Sequence, residues 1–468
     1  MAVQTGDPRK LTVAIIGGGP GGSSCAIKLL RDAGRYCRDI EVFLIEGKDF
    51  QRHFNQCVGV LSPPIEEILS QQLGLTLPEE IIKRQIFGYR LHGPTDEILL
   101  VGHPDAGATY ALKRAHLDRM LISEAAACGA NIIHSRVTHV EFLGGDPPLR
   151  VRLYSEGQDI EADCVIGAFG LDDAMLSTFE QVTAYRRPAR WLRTFITKVY
   201  TEESAIKQKL GHVIQAYLLP PAVPGIEFGA ITPKDDYIVV NIAGETIDSE
   251  HLQRFISLPA VRDHLPNDVP DELDMFEGRF PTSKAVNAYG HRYAMVGDAT
   301  GWMRPFKGKG INTALMTGAA AAQAILEHGV LVDAFCRYED LCQDLLRDHI
   351  YGTTIRNLAL LGSRFVLDAM IDVAKTNPVM YDALFDAVSG EDSYRSIIHR
   401  GFRLPIIRKV AASMLAGKLP QRRRKRRSTL DQLTIRKMTV RDIDAVLAID
   451  EKITGKPHAA YYEAKVAA

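Results

Sequence analysis

The chain has 468 residues, 46% of them hydrophobic and 24% charged, a globular balance that excludes a collagen, a coiled coil and a disordered polymer. Its 56 Lys and Arg nearly cancel 57 Asp and Glu, leaving a formal net charge of -1, so no global field draws it to nucleic acid or lipid and any such attraction is local. At about 150 residues per domain the length predicts roughly three domains. The seven cysteines, Cys25, Cys37, Cys57, Cys128, Cys164, Cys336 and Cys342, form no C-x-x-C pair and have no closely spaced histidine partners, which reads as reduced thiols with no metal site. No apolar run approaches the roughly 18 residues that span a bilayer, and the N-terminus lacks a signal-peptide layout, so a soluble, cytoplasmic protein is expected.

In chain order, residues 11–16 form an apolar, β-branched run suited to a central parallel strand. Gly17, Gly19 and Gly22 follow as G-x-G-x-x-G and open a helix predicted over 21–31 that stops at Gly34. That spacing gives a tight turn, a close backbone approach and free N–H groups aimed at a diphosphate. A second strand over 41–45 ends on Glu46, where a carboxylate accepts hydrogen bonds from adenosine ribose hydroxyls. An empty βαβ unit is the alternative.

Between 186 and 280 the pattern becomes that of a second domain, with antiparallel strands predicted over 194–200, 213–219, 228–232 and 237–242. Such a sheet offers an apolar wall for a flat or elongated substrate, and Tyr217, Phe228 and Ile231 are its candidate pocket lining; an ordinary core face explains the same residues. Further on, a strand over 293–296 leads into Gly297-Asp298-Ala299, then Pro305, Gly308, Gly310, Ile311 and Asn312, then a small-residue helix through 324. Asp298 is placed to hold a ribityl or ribose hydroxyl, and a helix N-terminus there would stabilise negative charge on a reduced flavin ring. This second element, paired with the first, implies bound FAD rather than NAD.

Residues 332–415 are helical, with Phe335, Tyr338, Cys342, Leu345 and His349 on one stripe and Ile355, Leu358, Leu361 and Phe365 on another. Packing explains these stripes, and a lipid groove is the alternative. Arg422, Arg423, Arg424, Lys425, Arg426 and Arg427 form a solvated linker; its second reading is docking on anionic lipid, while nucleic acid is not the expected partner. In the last 39 residues, 433–436 reads as a strand and Thr439 and Asp442 as caps of a helix carrying Ile443, Val446 and Ile449. This segment resembles the opening of a GNAT-type N-acetyltransferase without its pyrophosphate loop, so no acetyl transfer is expected.

From Leu11 to about Leu415 the chain resembles the para-hydroxybenzoate hydroxylase-like flavoprotein superfamily and, within it, the geranylgeranyl reductase family. The stretches that carry the resemblance are Gly17 to Gly22 with Glu46; Cys57-Val-Gly-Val-Leu61-Ser-Pro63; Arg114-x-x-Leu-Asp118-x-x-Leu121; Gly297-Asp298 with Pro305 to Ile311; and Ser389-Gly390 with Ser393-Tyr394. The resemblance implies that Arg114 opens a helix and contacts FAD, that Asp298 binds its ribityl or ribose portion, and that the helical tail completes a substrate cavity. Three departures stand out. The usual Ala-Asp-Gly appears as Ala168-Phe169-Gly170, leaving the electron donor open; Val58 and Val60 replace glycines, implying a different loop path; and the aromatic Y-x-W-x-F-P-K motif appears as Phe228-Gly-Ala230-Ile-Thr232-Pro233-Lys234.

The expected class is therefore α/β: a Rossmann-like FAD-binding domain (1–60, 101–185 and 281–330), an antiparallel-sheet substrate domain (61–100 and 186–280), a helical C-terminal region (331–418), a basic linker (419–429) and the acetyltransferase-like segment (430–468). The first functional reading is an FAD-dependent reductase that takes electrons from NAD(P)H and saturates a carbon–carbon double bond of a hydrophobic, prenyl-like substrate. Cys57 is its candidate proton donor, with Arg52, His53 and Lys307 as groups that would tune it; a buried structural thiol is the other reading of Cys57. The second functional reading is a flavin monooxygenase on an apolar substrate, and the third a non-catalytic flavin-binding protein docked by its basic linker.

Overall fold

A computed structural model of the chain describes residues 10–50, 57–102, 107–219, 222–267, 269–270, 272–304, 309–361, 363–401, 403–417, 446–447 and 459. Arg52, His53, Pro305, Lys307, Gly308, the basic run and nearly all of the acetyltransferase-like segment lie outside the described residues, as do the side chains of Leu358, Leu361 and Phe365.

The apolar run Leu11–Ile16 is a strand buried on both faces, which is why it carries no polar alternation. It pairs in parallel with Ile40–Ile45 on one side and Cys164–Gly167 on the other, placing Ile15 opposite both Leu44 and Ile166. The six-stranded sheet runs Tyr289–Gly290, Tyr293–Met295, Cys164–Gly167, Leu11–Ile16, Ile40–Ile45, Asn131–Ile133. Helices Pro20–Asp32 and Gly310–His328 pack together at backbone distance; a side chain on Gly318 would begin 2.1 Å from the Gly21 carbonyl oxygen. The small residues of the second helix thus set how closely two helix N-termini are brought together.

A seven-stranded sheet runs Met275–Pro281, Trp191–Tyr200, Tyr237–Gly244, Phe228–Pro233, Val213–Leu218, Gly88–His92, Glu97–Val101. All its pairs are antiparallel except Val213–Leu218 with Gly88–His92. Side chains alternate between its faces. Ile238, Val240 and Ile242 join a core with Leu252, Phe255 and Val261, from the short helices that cover one side, while Tyr237 and Val239 turn to the other side and meet Val58 and Ile196.

That second side is roofed in part by the helical region, where Ile371, Met380, Leu384, Phe385 and Ile406 pack on Leu91, Leu100 and Ile214. The edge strand Glu97–Val101 is not left open, because its Val101 N–H donates to the Tyr381 hydroxyl at 2.8 Å. The stripe Phe335, Tyr338 and Cys342 is buried, with Trp302 stacked on Tyr338 at 5.1 Å and the Tyr338 hydroxyl donating to the Met295 carbonyl. Those side chains are packing. Among the described residues, no helix is long and apolar enough to cross a membrane.

Candidate active site

The dinucleotide turn has the geometry its glycines allow. Gly17 has φ +106, and a side chain there would begin 2.5 Å from the Ala168 carbonyl oxygen; one on Gly22 would begin 1.9 Å from that of Gly17. Gly19 caps the helix in extended conformation, Pro20 follows, and no side chain caps the first turn, so its N–H groups are left for an anion. Glu46 is buried and accepts from Gly18 N and Lys48 N, both at 2.8 Å.

Arg114 is the first residue of helix Arg114–Ala127, and its guanidinium lies 3.9 Å from where a Gly19 side chain would begin. Burial works against its charge, yet Asp118, paired at 2.7 Å, and Cys57 more than offset that and hold Arg114 above its ordinary value. A permanent cation thus stands beside the anion-binding turn.

The second element forms one 3-10 turn, Gly297–Thr300, whose Gly297 N–H donates to Thr317 at 2.9 Å. Asp298 is half-buried and lies 3.3 Å from the position of a Gly310 side chain. Burial raises its carboxyl, and Arg114 opposes the rise. The helix Gly310–His328 also starts without a side-chain cap. Ile311 is core, and the Asn312 amide donates to the Ser62 carbonyl at 2.9 Å, tying the helix start to the loop after Cys57.

Sequence reasoning missed the braces at this end. Arg304 pairs with Asp348 at 2.7 Å and donates to the carbonyls of Gly390 and Asp392 at 2.9 and 3.1 Å. Lys309 donates to the carbonyls of Pro63 and of the same Gly390. Two cations from the flavin-side segment thus converge on Gly390, of the Ser389-Gly390 pair read from the sequence; that their target was a carbonyl some 80 residues away carried no local signal.

Cys57 is half-buried, and its Sγ accepts from Gly59 N at 3.3 Å. Val58 packs against Ile196, Tyr237 and Val239, so this loop runs under the large sheet. Of the three candidate lining residues, only Phe228 is on that side, 6.4 Å from Phe280 between ring centroids.

Tyr217 and Ile231 are corrections. Both belong to the core under the short helices on the opposite face, where Tyr217 stacks on His92 at 4.2 Å and donates to the Ala260 carbonyl. Alternation identified two faces without saying which one meets the cofactor. At the departure Ala168-Phe169-Gly170, Phe169 packs on Phe179 with centroids 5.4 Å apart, an apolar contact where the resemblance places an acid.

Two uncapped helix N-termini, a buried ribose-type carboxylate and a permanently charged arginine between them suit a long, diphosphate-bearing dinucleotide. The fold and these groups define a flavoprotein that binds FAD. The match to the family described as an FAD binding domain covers residues 10–328, and the chain belongs to that family; it is an FAD-dependent oxidoreductase.

The chain is 23% identical over 370 residues to the chloroplastic geranylgeranyl diphosphate reductase of Nicotiana tabacum, spanning 76% of this chain and 75% of that protein. It is 26% identical over 407 residues to digeranylgeranylglycerophospholipid reductase 1 of Methanothermobacter thermautotrophicus, spanning 83% and 95%. The same fold appears in a geranylgeranyl bacteriochlorophyll reductase-like protein from Thermoplasma acidophilum (TM-score 0.67, 19% identity, 86% of this chain and 100% of that one). A flavin-dependent brominase shares it too (TM-score 0.59, 16% identity, 88% and 100%).

Proposed function

We propose that this protein is an FAD-dependent reductase that saturates a carbon–carbon double bond of a hydrophobic, prenyl-bearing substrate with electrons from NAD(P)H. The observation that carries the reading is the placement of Cys57. Its thiol is half-buried beside Arg114, in a loop that runs under the inner sheet face. When bound, FAD supplies a hydride to one carbon of the double bond.

The chain's own part is to deliver a proton from Cys57 Sγ to the other carbon and to keep water out. Phe228, Ala230, Ala216 and Leu218 share the inner face of the sheet and offer the substrate an apolar wall. The reductase names of the two relatives support the prenyl substrate class.

The test is anaerobic. Dithionite-reduced holoprotein mixed with a geranylgeranyl lipid in deuterated water is expected to yield product with two added deuterium atoms per reduced bond, because dithionite supplies only electrons and both hydrogens come from solvent. In Cys57→Ser, kcat is expected to fall by about 100-fold, the loss of a positioned acid. Turnover that requires oxygen and adds an oxygen atom would replace this reading with the monooxygenase one.

A further inference from the structure

Lys234 is fully buried, although it opens the charged turn Lys234-Asp235-Asp236. Ammonium groups are rarely taken out of water without a purpose. Its Nζ donates to the Gly59 carbonyl at 3.0 Å and to the Leu112 carbonyl at 2.8 Å. The Gly59 oxygen also accepts from Leu112 N at 2.8 Å. Loop and strand touch here through bare backbone, since Gly59 has φ +71 and a side chain on it would begin 2.2 Å from the Leu112 oxygen.

The same residue, Gly59, donates its N–H to Cys57 Sγ, and Leu112 lies two residues before Arg114, which flanks that sulfur. The buried ammonium therefore sits one residue behind the thiol's own hydrogen-bond donor, and a guanidinium sits beside the sulfur.

We propose that Lys234 is a positioning residue for Cys57: clamped by the carbonyls of Gly59 and Leu112, it fixes the Gly59 N–H on the sulfur and holds a positive charge behind it. This rests on Cys57 as proton donor. In that step the S–H bond breaks, a C–H bond forms on the substrate, the electron pair stays on sulfur, and water returns the proton between turnovers. Lys234 stabilises the thiolate in the interval.

The surrounding charges agree with this role. Burial pushes the Lys234 ammonium down to about 7, Cys57 pulls it up, Lys198 lowers it and Asp235 raises it. Arg114 and its partner Asp118 face the thiol from their helix, and buried Arg84 donates to the Lys234 carbonyl at 2.8 Å.

The experiment is peptide-resolved alkylation of the FAD-loaded full chain with iodoacetamide, using exposed Cys37 as the internal control. Lys234→Gln keeps a neutral donor and Lys234→Arg keeps the charge. The neutral variant is expected to alkylate Cys57 at least about fivefold more slowly at pH 6, where Lys234 keeps its proton, and to lose kcat with KM retained, while Lys234→Arg keeps the faster rate. Wild-type alkylation and kcat in Lys234→Gln would overturn the proposal.

A second measurement needs no change at Lys234. Its ammonium, followed by nitrogen-15 NMR of labelled lysine, is expected to titrate at lower pH in Cys57→Ser, and an unchanged titration overturns the proposal as well. Full anaerobic turnover in Cys57→Ser would instead sink the proton-donor reading, while the alkylation rates decide the role of Lys234 separately.

Discussion

A methyl group at Gly22 would begin 1.9 Å from a carbonyl oxygen of the same turn, and no rotamer change relieves a backbone clash. Gly22→Ala is expected to cost about 3 kcal/mol and to abolish FAD retention on desalting, read from the visible spectrum and the melting temperature. Glu46 fails differently: Glu46→Ala removes the acceptor for the buried Gly18 N–H and for the Lys48 N–H. The expected loss in FAD affinity, by titration, is about tenfold or more. These residues were legible because their reasons are local, a few positions apart on a turn. Lys234 was not, since a lysine followed by two aspartates reads as solvent-facing and its partners, Gly59 and Leu112, lie more than 100 residues away. Tyr217 and Ile231 show the same limit, because the period of a strand assigns sides but not neighbours.

The strands expected over 11–16, 41–45, 194–200, 213–219, 228–232, 237–242 and 293–296 are present, while others, among them Gly88–His92, Val137–Leu143 and Met275–Pro281, were not marked. The central parallel strand Leu11–Ile16 is a nearly continuous apolar run because both its faces are covered, and 237–242 reads as a strand from its β-branched run, which the structure extends to Gly244. What the sequence did not disclose is pairing, above all the parallel contact between Val213–Leu218 and Gly88–His92, which sets the order of the large sheet. Helix Gln343–Leu361 is joined to that sheet by Arg356, whose guanidinium forks onto Glu227 at 2.7 and 2.5 Å and reaches Glu245 at 2.8 Å. Lysine supplies a point charge and cannot make the fork. Arg356→Lys is expected to destabilise the protein by about 1–3 kcal/mol in denaturant unfolding, with the FAD spectrum retained because neither partner belongs to the dinucleotide turn.

For the whole molecule, buried lysines leave a signature in pH. Burial pushes Lys234 down to about 7 in the folded chain from its ordinary 10.5, so between those values the unfolded chain binds a proton that the folded one does not. Its contribution to stability therefore rises with pH across that window, by about 1.4 kcal/mol per unit for one proton. Lys309, also lowered to about 7 by burial and by Arg304, acts in the same direction. Unfolding free energies measured from pH 7.5 to 9.5 are expected to climb less steeply in Lys234→Met by about one proton, and identical slopes would contradict the burial of that ammonium.

The chemistry proposed for Cys57 depends on a dinucleotide lying between the Gly17 turn and the start of the Gly310 helix. The most direct measurement is reconstitution of the apoprotein with FAD, followed by desalting and a visible spectrum. The result expected is a yellow protein carrying one FAD per chain, with the colour lost in Gly22→Ala. A colourless wild-type protein that takes up no flavin would contradict it.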